Sequence, residues 1–154
     1  MILPTFPALD GVDHTMVEYE PGDDIETAAE RRGTEVSRIL KTMVVRVGSD
    51  DYVLVMVPGD RLIDWKPLRT HLGVRRLALA DEDEAFTATG YRRGTITPLG
   101  AAGGWPVIID ASVGGSGEVS VGSGTEGVAI HLDADDLLRI VDADIVAVTK
   151  GTGR

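Results

Sequence analysis

Lys41 and the loop Gly90-Tyr-Arg-Arg-Gly94-Thr-Ile-Thr-Pro98-Leu-Gly100 are the parts of this 154-residue chain whose residue types suit chemistry. Three glycines and a proline within eleven residues rule out a regular helix or a central strand. The run is a shaped loop. Gly94 and Gly100 carry no side chain, so their backbone N–H groups can approach a ligand closely. Arg92 and Arg93 suit an anionic partner, or else they are solvated loop charges. Lys41 begins a β-branched run to Val47, and a two-residue period puts it with Met43, Val45 and Val47, opposite Thr42, Val44 and Arg46. A lysine on an apolar face is costly unless its ammonium escapes to water or meets acceptors. Two readings follow: Lys41 snorkels at the strand start, or it projects into a cavity to hold an oxygen or phosphate. Together with the loop it is expected to form an active-site rim.

Other catalytic constellations are poor. His14, His71 and His131 lack the paired spacings of a zinc site, with His71 read as a helix-end residue and His131 as an outward strand position. The acidic groups Asp81–Glu84 and Asp133–Asp136 are better explained as helix starts than as acid/base pairs. There is no Gly-x-Ser-x-Gly elbow and no Gly-x-x-x-x-Gly-Lys-Ser/Thr phosphate loop. With no cysteine the chain has neither a thiolate nucleophile nor a disulfide framework.

The elements that must position these residues are short. His14–Glu20 alternates as a half-buried strand, closed by Pro21-Gly22. Asp23 or Asp24 caps a helix over 25–32 that Gly33 ends, with Ile25, Ala28 and Ala29 as its apolar face. Strands over 41–47 and 52–57 form a hairpin across Gly48–Asp51. A helix over 64–72 has Asp64 as its cap and Pro67 in its first turn. A strand over 74–80 and a helix over 81–88 then lead into the loop. Strands over 105–110, 118–121 and 128–132, a capped helix over 133–141 and a closing strand over 142–148 complete the chain. The pattern predicts one α/β domain over 1–154, with residues 1–13 an irregular arm and the sheet largely antiparallel or mixed.

A net charge of −10 opposes indiscriminate nucleic-acid binding, because polyanion affinity comes mainly from lysine and arginine. The charge is uneven: residues 61–100 carry +2 and the remainder −12. A locally basic face can still meet RNA through few contacts. No apolar run approaches the roughly 18 residues of a membrane span, and the first residues lack the basic region of a secretory signal, so a cytoplasmic address is expected.

Several segments together resemble the YbaK/ProX family of aminoacyl-tRNA deacylases, related to the editing domain of bacterial prolyl-tRNA synthetases. They are Thr27–Gly33, Ile39–Val45, Thr89–Gly100, Pro106–Asp110, Ser123–Gly127 and Asp136–Ile145, in the family's order over residues 14–149. The resemblance implies a compact α/β domain on a mixed, mostly antiparallel and partly barrel-like sheet with short flanking helices. It implies hydrolysis of the ester joining a wrong amino acid to the terminal adenosine of tRNA, without a metal or other cofactor. By analogy the carrier is tRNA for proline bearing Cys or Ala. Lys41 then positions the substrate, the loop around Gly94 presents backbone groups to the reacting centre, and a neighbouring 2′-hydroxyl of the substrate assists the water.

The substrate-binding set it implies is Tyr19, then Thr95, Thr97, Pro98 and Gly100 of the first loop, then Gly122, Ser123 and Gly124 of the second. Pro98 acts by shaping its loop; Tyr19 is a pocket residue or simply a half-buried strand tyrosine. Arg92 and Arg93 are the implied contacts to tRNA phosphates. Two positions depart from the pattern: Gly122 stands where some members have a serine, with Ser123 displaced by one, and Ala129 stands where some have an aspartate. The implied partners are misacylated tRNA and an aminoacyl-tRNA synthetase, with neither DNA nor membrane. The alternative is a non-catalytic module of the same fold that binds aminoacyl-tRNA or a synthetase.

Overall fold

The computed structural model describes residues 3–152. Its first strand, β1 (His14–Glu18), follows a short 3-10 turn at Pro7–Leu9. Phe6 and Leu9 of the N-terminal arm are buried in the core. Helix α1 (Ile25–Arg32) starts at Asp24, whose carboxylate accepts from the Thr27 N–H at 2.7 Å, and stops at Gly33 in the left-handed conformation. The β2–β3 hairpin (Ile39–Val47 and Asp51–Pro58) turns at residues 48–50. Helix α2 (Trp65–Leu72) ends at Gly73, and β5 is only Leu77–Leu79, because the Val74 N–H is still bonded to the Arg69 carbonyl of α2. Helix α3 (Glu82–Thr89) is capped by the Asp81 carboxylate at 2.8 Å. The acidic groups at 81–84 and 133–136 are helix starts, as expected: Asp133 likewise accepts from the Asp135 N–H ahead of α4 (Ala134–Ile140).

Strands β6 (Val107–Asp110), β7 (Glu118–Gly122), β8 (Val128–Asp133) and β9 (Ala143–Val146) complete an eight-stranded sheet in the order β1-β8-β7-β2-β3-β6-β9, with β5 on β2. The ladders β2–β7, β3–β6 and β6–β9 are parallel and the rest antiparallel, so the sheet is mixed and mostly antiparallel, as expected. It stays open, with β1 and β9 at its two ends. The single closing strand foreseen over 142–148 is instead β9 followed by β10 (Thr149–Gly151). The latter pairs with β4 (Arg61–Ile63) in a small second sheet that the sequence pattern does not reveal.

Both faces of the sheet are covered. One face packs Leu40, Met56, Ile109 and Ile130 against α4; the other packs Val45, Val55 and Val57 against Leu68 of α2. Each such aliphatic side chain contributes roughly 1.5–3 kcal/mol by leaving water. No helix among the described residues is long and apolar enough to cross a membrane.

The feature that positions the site is a break along one edge of β2. Its other edge is paired to β3 from Leu40 to Val47. On the broken edge β7 pairs only with Ile39 and Leu40, then diverges, and β5 joins only at Val45. The Ala80 N–H reaches the Val44 carbonyl, so the strand period places the Thr42 N–H and C=O on the open stretch between them.

Asp110 locks the end of β6. It is 2% exposed, and its carboxylate accepts from Val148 N at 2.9 Å, from Ser112 N at 3.1 Å and from the Ser112 hydroxyl. Burial alone would raise its pKa; the hydrogen bonds outweigh it and hold the carboxyl below its usual value. The native carboxylate therefore adds stability that is present above the unfolded pKa and lost as pH falls through the lowered native one. Asp110→Asn is expected to cost about 1–3 kcal/mol near neutral pH, since one buried donor loses its acceptor. Urea unfolding checks this, and the gap from wild type should narrow in acid.

Candidate active site

A cavity of about 750 Å³ occupies the break in β2, a volume suited to a small ligand. Its floor is the Ile39–Met43 stretch of β2. Ile25, Ala28 and Arg32 of α1 form one wall with Tyr19, while Arg92–Ile96 and the Gly122–Gly124 turn form another. Asp23, Asp24, Glu82 and Glu126 add an exposed acidic rim.

Lys41 and Gly94 line this same cavity, which brings together the two features on which the sequence reading turned. Lys41 is half-buried, and burial pulls its pKa below the ordinary lysine value, opposed only in part by Asp60. Among the described residues no carboxylate lies within ion-pair distance of its ammonium. The result is a cation with unspent hydrogen-bonding capacity on a residue that lines a concave space.

The 92–95 turn is held by the Thr95 N–H and hydroxyl, both donating to the Arg92 carbonyl at 3.0 and 2.7 Å. Gly94 sits at φ +86°, a conformation that disfavours any side chain, and open space lies beside it. Its N–H takes no protein partner among the described residues. The turn is seated on the end of β7: Gly124 N–H donates to the Thr95 carbonyl at 2.7 Å. A Cβ at Gly122 would lie 2.7 Å from the carbonyl oxygens of Thr95 and Ile96. The absence of a serine at 122 thus has a steric reason, because loop backbone fills that space. Ala129, the pairing partner of Gly122, is fully buried.

The other expected site residues divide. Tyr19, Thr95, Gly122 and Gly124 line the cavity, as do Arg92 and Arg93 at its mouth, where the Arg92 guanidinium stacks 3.7 Å from the Phe86 ring centroid. Thr97, Pro98, Gly100 and Ser123 lie outside the lining. Thr97 is fully buried, its hydroxyl accepting from Leu99 N–H. Gly100 makes room for Tyr91 and Phe6. The Ser123 hydroxyl is buried and donates to the Val128 carbonyl at 2.6 Å, which serves the turn rather than a ligand.

Two cavity features, and one buried residue outside the lining, are not evident from the sequence. Thr42 carries a buried hydroxyl without a partner beside Lys41. Arg32 occupies the core-facing stripe of α1, at the next i, i+3, i+4, i+7 position after Ile25, Ala28 and Ala29, and that spacing is the signal that reveals it. His131, read as outward, is instead 7% exposed, because helices and loops cover both faces of β8. It lies beside Ser120 with Nδ1 3.4 Å from Glu118.

The chain matches the model for the aminoacyl-tRNA editing domain over residues 19–140. An Enterococcus faecalis protein provisionally named a Cys-tRNA(Pro)/Cys-tRNA(Cys) deacylase is 26% identical over 124 residues, which span 80% of this chain and 76% of that one. The Escherichia coli K12 multifunctional Ser/Thr-tRNA deacylase ProXp-y is 27% identical over 141 residues, 89% of this chain and 84% of that one. A crystal structure described as a candidate trans-editing enzyme for prolyl-tRNA synthetase superposes with a TM-score of 0.81 at 26% identity, covering 94% of this chain and 93% of that one.

Two outcomes follow from the geometry. Gly122→Ala is expected to push the Thr95–Ile96 backbone off β7, seen as faster amide exchange at residues 94–96 with little change at β3. Burial lowers the His131 pKa from its ordinary 6.5, Glu118 opposes this and Arg32 reinforces it. The folded state therefore favours neutral imidazole, a contribution intact above the unfolded pKa and lost as pH falls through the native one. Between about pH 7.5 and about pH 5.5 the melting temperature of wild type should fall more than that of His131→Gln.

Proposed function

Because this chain belongs to the aminoacyl-tRNA editing domain family, we propose that it hydrolyses the ester of misacylated tRNA in trans, with tRNA for proline carrying Cys or Ala as the favoured substrate. The observation that carries this reading is the convergence of Lys41 and the Gly94 turn on one cavity. In the proposed step a water attacks the ester carbonyl carbon, and the 2′-hydroxyl of the terminal ribose helps to orient it. The carbonyl oxygen takes up negative charge, which the Gly94 N–H and the Lys41 ammonium stabilise as fixed donors. Collapse of the tetrahedral intermediate breaks the bond to the ribose oxygen, which leaves with a proton, releasing the amino acid and tRNA with a free terminal hydroxyl. No protein nucleophile is required.

Capture of the tRNA rests on few contacts. Arg92 and Arg93 at the mouth suit the terminal phosphates, while the acidic rim and the net charge of −10 oppose broad adhesion to a polyanion. A synthetase partner that presents the tRNA suits this balance.

The test is deacylation of tRNAs carrying Cys, Ala, Ser or Pro by the purified protein. Lys41→Ala is expected to lower kcat/KM by about 10²–10³-fold, the loss typical for one oxyanion donor. No turnover across the panel, at low salt and with candidate synthetases added, overturns the hydrolase in favour of a binding module.

A further inference from the structure

Arg32 is a buried cation with no anion to balance it. It is 9% exposed, and among the described residues no carboxylate lies within ion-pair distance of it. Its partners are neutral: Nη2 donates to the Tyr19 hydroxyl at 2.8 Å and Nη1 to the Ser120 hydroxyl at 3.2 Å. Its Cζ lies 4.7 Å from the Tyr19 ring centroid, and Nε has no partner. An aliphatic residue on this core-facing stripe of α1 would avoid the desolvation of a guanidinium. Stability is therefore a poor explanation for the arginine.

Its effect on Tyr19 is specific. A phenol oxygen that accepts from a guanidinium must direct its own O–H elsewhere. No acceptor among the described residues takes that proton, and Tyr19 lines the cavity. Hydrogen bonds in series polarise one another, so the cation behind the oxygen strengthens the donor in front of it. We propose that Arg32 is a positioning residue that fixes Tyr19 as a hydrogen-bond donor to the substrate's amino-acid side chain, so that the pocket favours side chains bearing an oxygen acceptor over apolar isosteres. This rests on the hydrolase reading above but not on its choice of side chain: Cys and Ala carry no oxygen acceptor, and a Tyr19 donor ranks serine and threonine ahead of them. An apolar side chain that displaces water from Tyr19 leaves the buried donor unpaired, a loss that a slightly looser fit does not relieve.

Threonine and valine are the matching pair, alike in shape and differing in one hydroxyl. Binding of 3′-amide analogues of threonyl- and valyl-adenosine, which cannot be hydrolysed, isolates the effect from turnover. Wild type is expected to bind the threonyl analogue about tenfold more tightly, the effect of one net hydrogen bond. Tyr19→Phe, which keeps the ring, and Arg32→Leu should each bring the ratio to near one. Ser120→Ala, which leaves the Arg32–Tyr19 bond in place, should keep it. A purely structural Arg32 would change melting temperature without moving the ratio. Equal binding of the two analogues by wild type, or a preference that survives Tyr19→Phe, overturns the proposal. Failure of the hydrolase reading looks different: the preference persists among the analogues, but the corresponding aminoacyl-tRNAs are not deacylated. Absence of binding to both analogues overturns the two together.

Discussion

The site depends on a single interruption in backbone pairing. Strand β2 is held along one edge by β3, and along the other by β7 at its start and β5 at its end. Had one strand run the full length of that edge, the Thr42 backbone groups would have been spent on a ladder and no concavity would exist. The divergence of β7 after its pairing with Leu40 opens the space, and the 92–95 turn partly fills it from the far side. Gly122 makes that arrangement possible, since the turn's carbonyl oxygens lie where any side chain would project. Cavity, loop and strand end form one packing unit.

Within that space the less exposed charges are both cations, while the rim carries both signs. Arg32 and Lys41 lie inward, while Asp23, Asp24, Glu82 and Glu126 are exposed. The two inner cations answer burial differently. Lys41 responds through a lowered pKa, so part of its desolvation is expressed in how readily it sheds a proton. Arg32 has no such escape, because a guanidinium stays charged in proteins, and it relies instead on two hydroxyls and an aromatic face. The two inner cations thus lie behind a mouth of mixed charge, four carboxylates together with Arg92 and Arg93.

Much of this was legible in the residues. Turn chemistry narrowed the first helix cap to Asp23 or Asp24, of which Asp24 bonds, and set helix ends at Gly33 and Gly73. Asp64, expected to cap α2, stands at the N-cap without a side-chain capping bond, and two-residue alternation put Lys41 with Met43 and Val45. The glycine loop signalled backbone that could approach a ligand closely; within the fold itself the close backbone approach is at Gly122, against the Thr95 and Ile96 carbonyls, while open space lies beside Gly94. What stayed hidden is non-local. The β4–β10 pair joins three-residue strands nearly ninety positions apart, too short to leave a pattern. Thr97 and Ser123 have the polarity of ligand contacts, yet their hydroxyls are consumed by neighbouring backbone. His131 follows the alternation of β8, but that rule assumes one wet face, and β8 has none. Arg32 was masked by its own charge, since a basic residue late in a helix is ordinarily read as complementing the dipole.

The long-range pairings also bear on how the molecule is made. β1 must wait for β8, and the start of β2 for β7, so the walls of the cavity come from opposite ends of the polypeptide. Such separations slow assembly, because distant segments must meet before their contacts reward the meeting. A nascent chain leaving the ribosome can complete the β2–β3 hairpin early, and it then carries an unpaired apolar border until residues 118–133 emerge. Until then that border is an open strand edge, the kind of surface on which chains pair wrongly with one another.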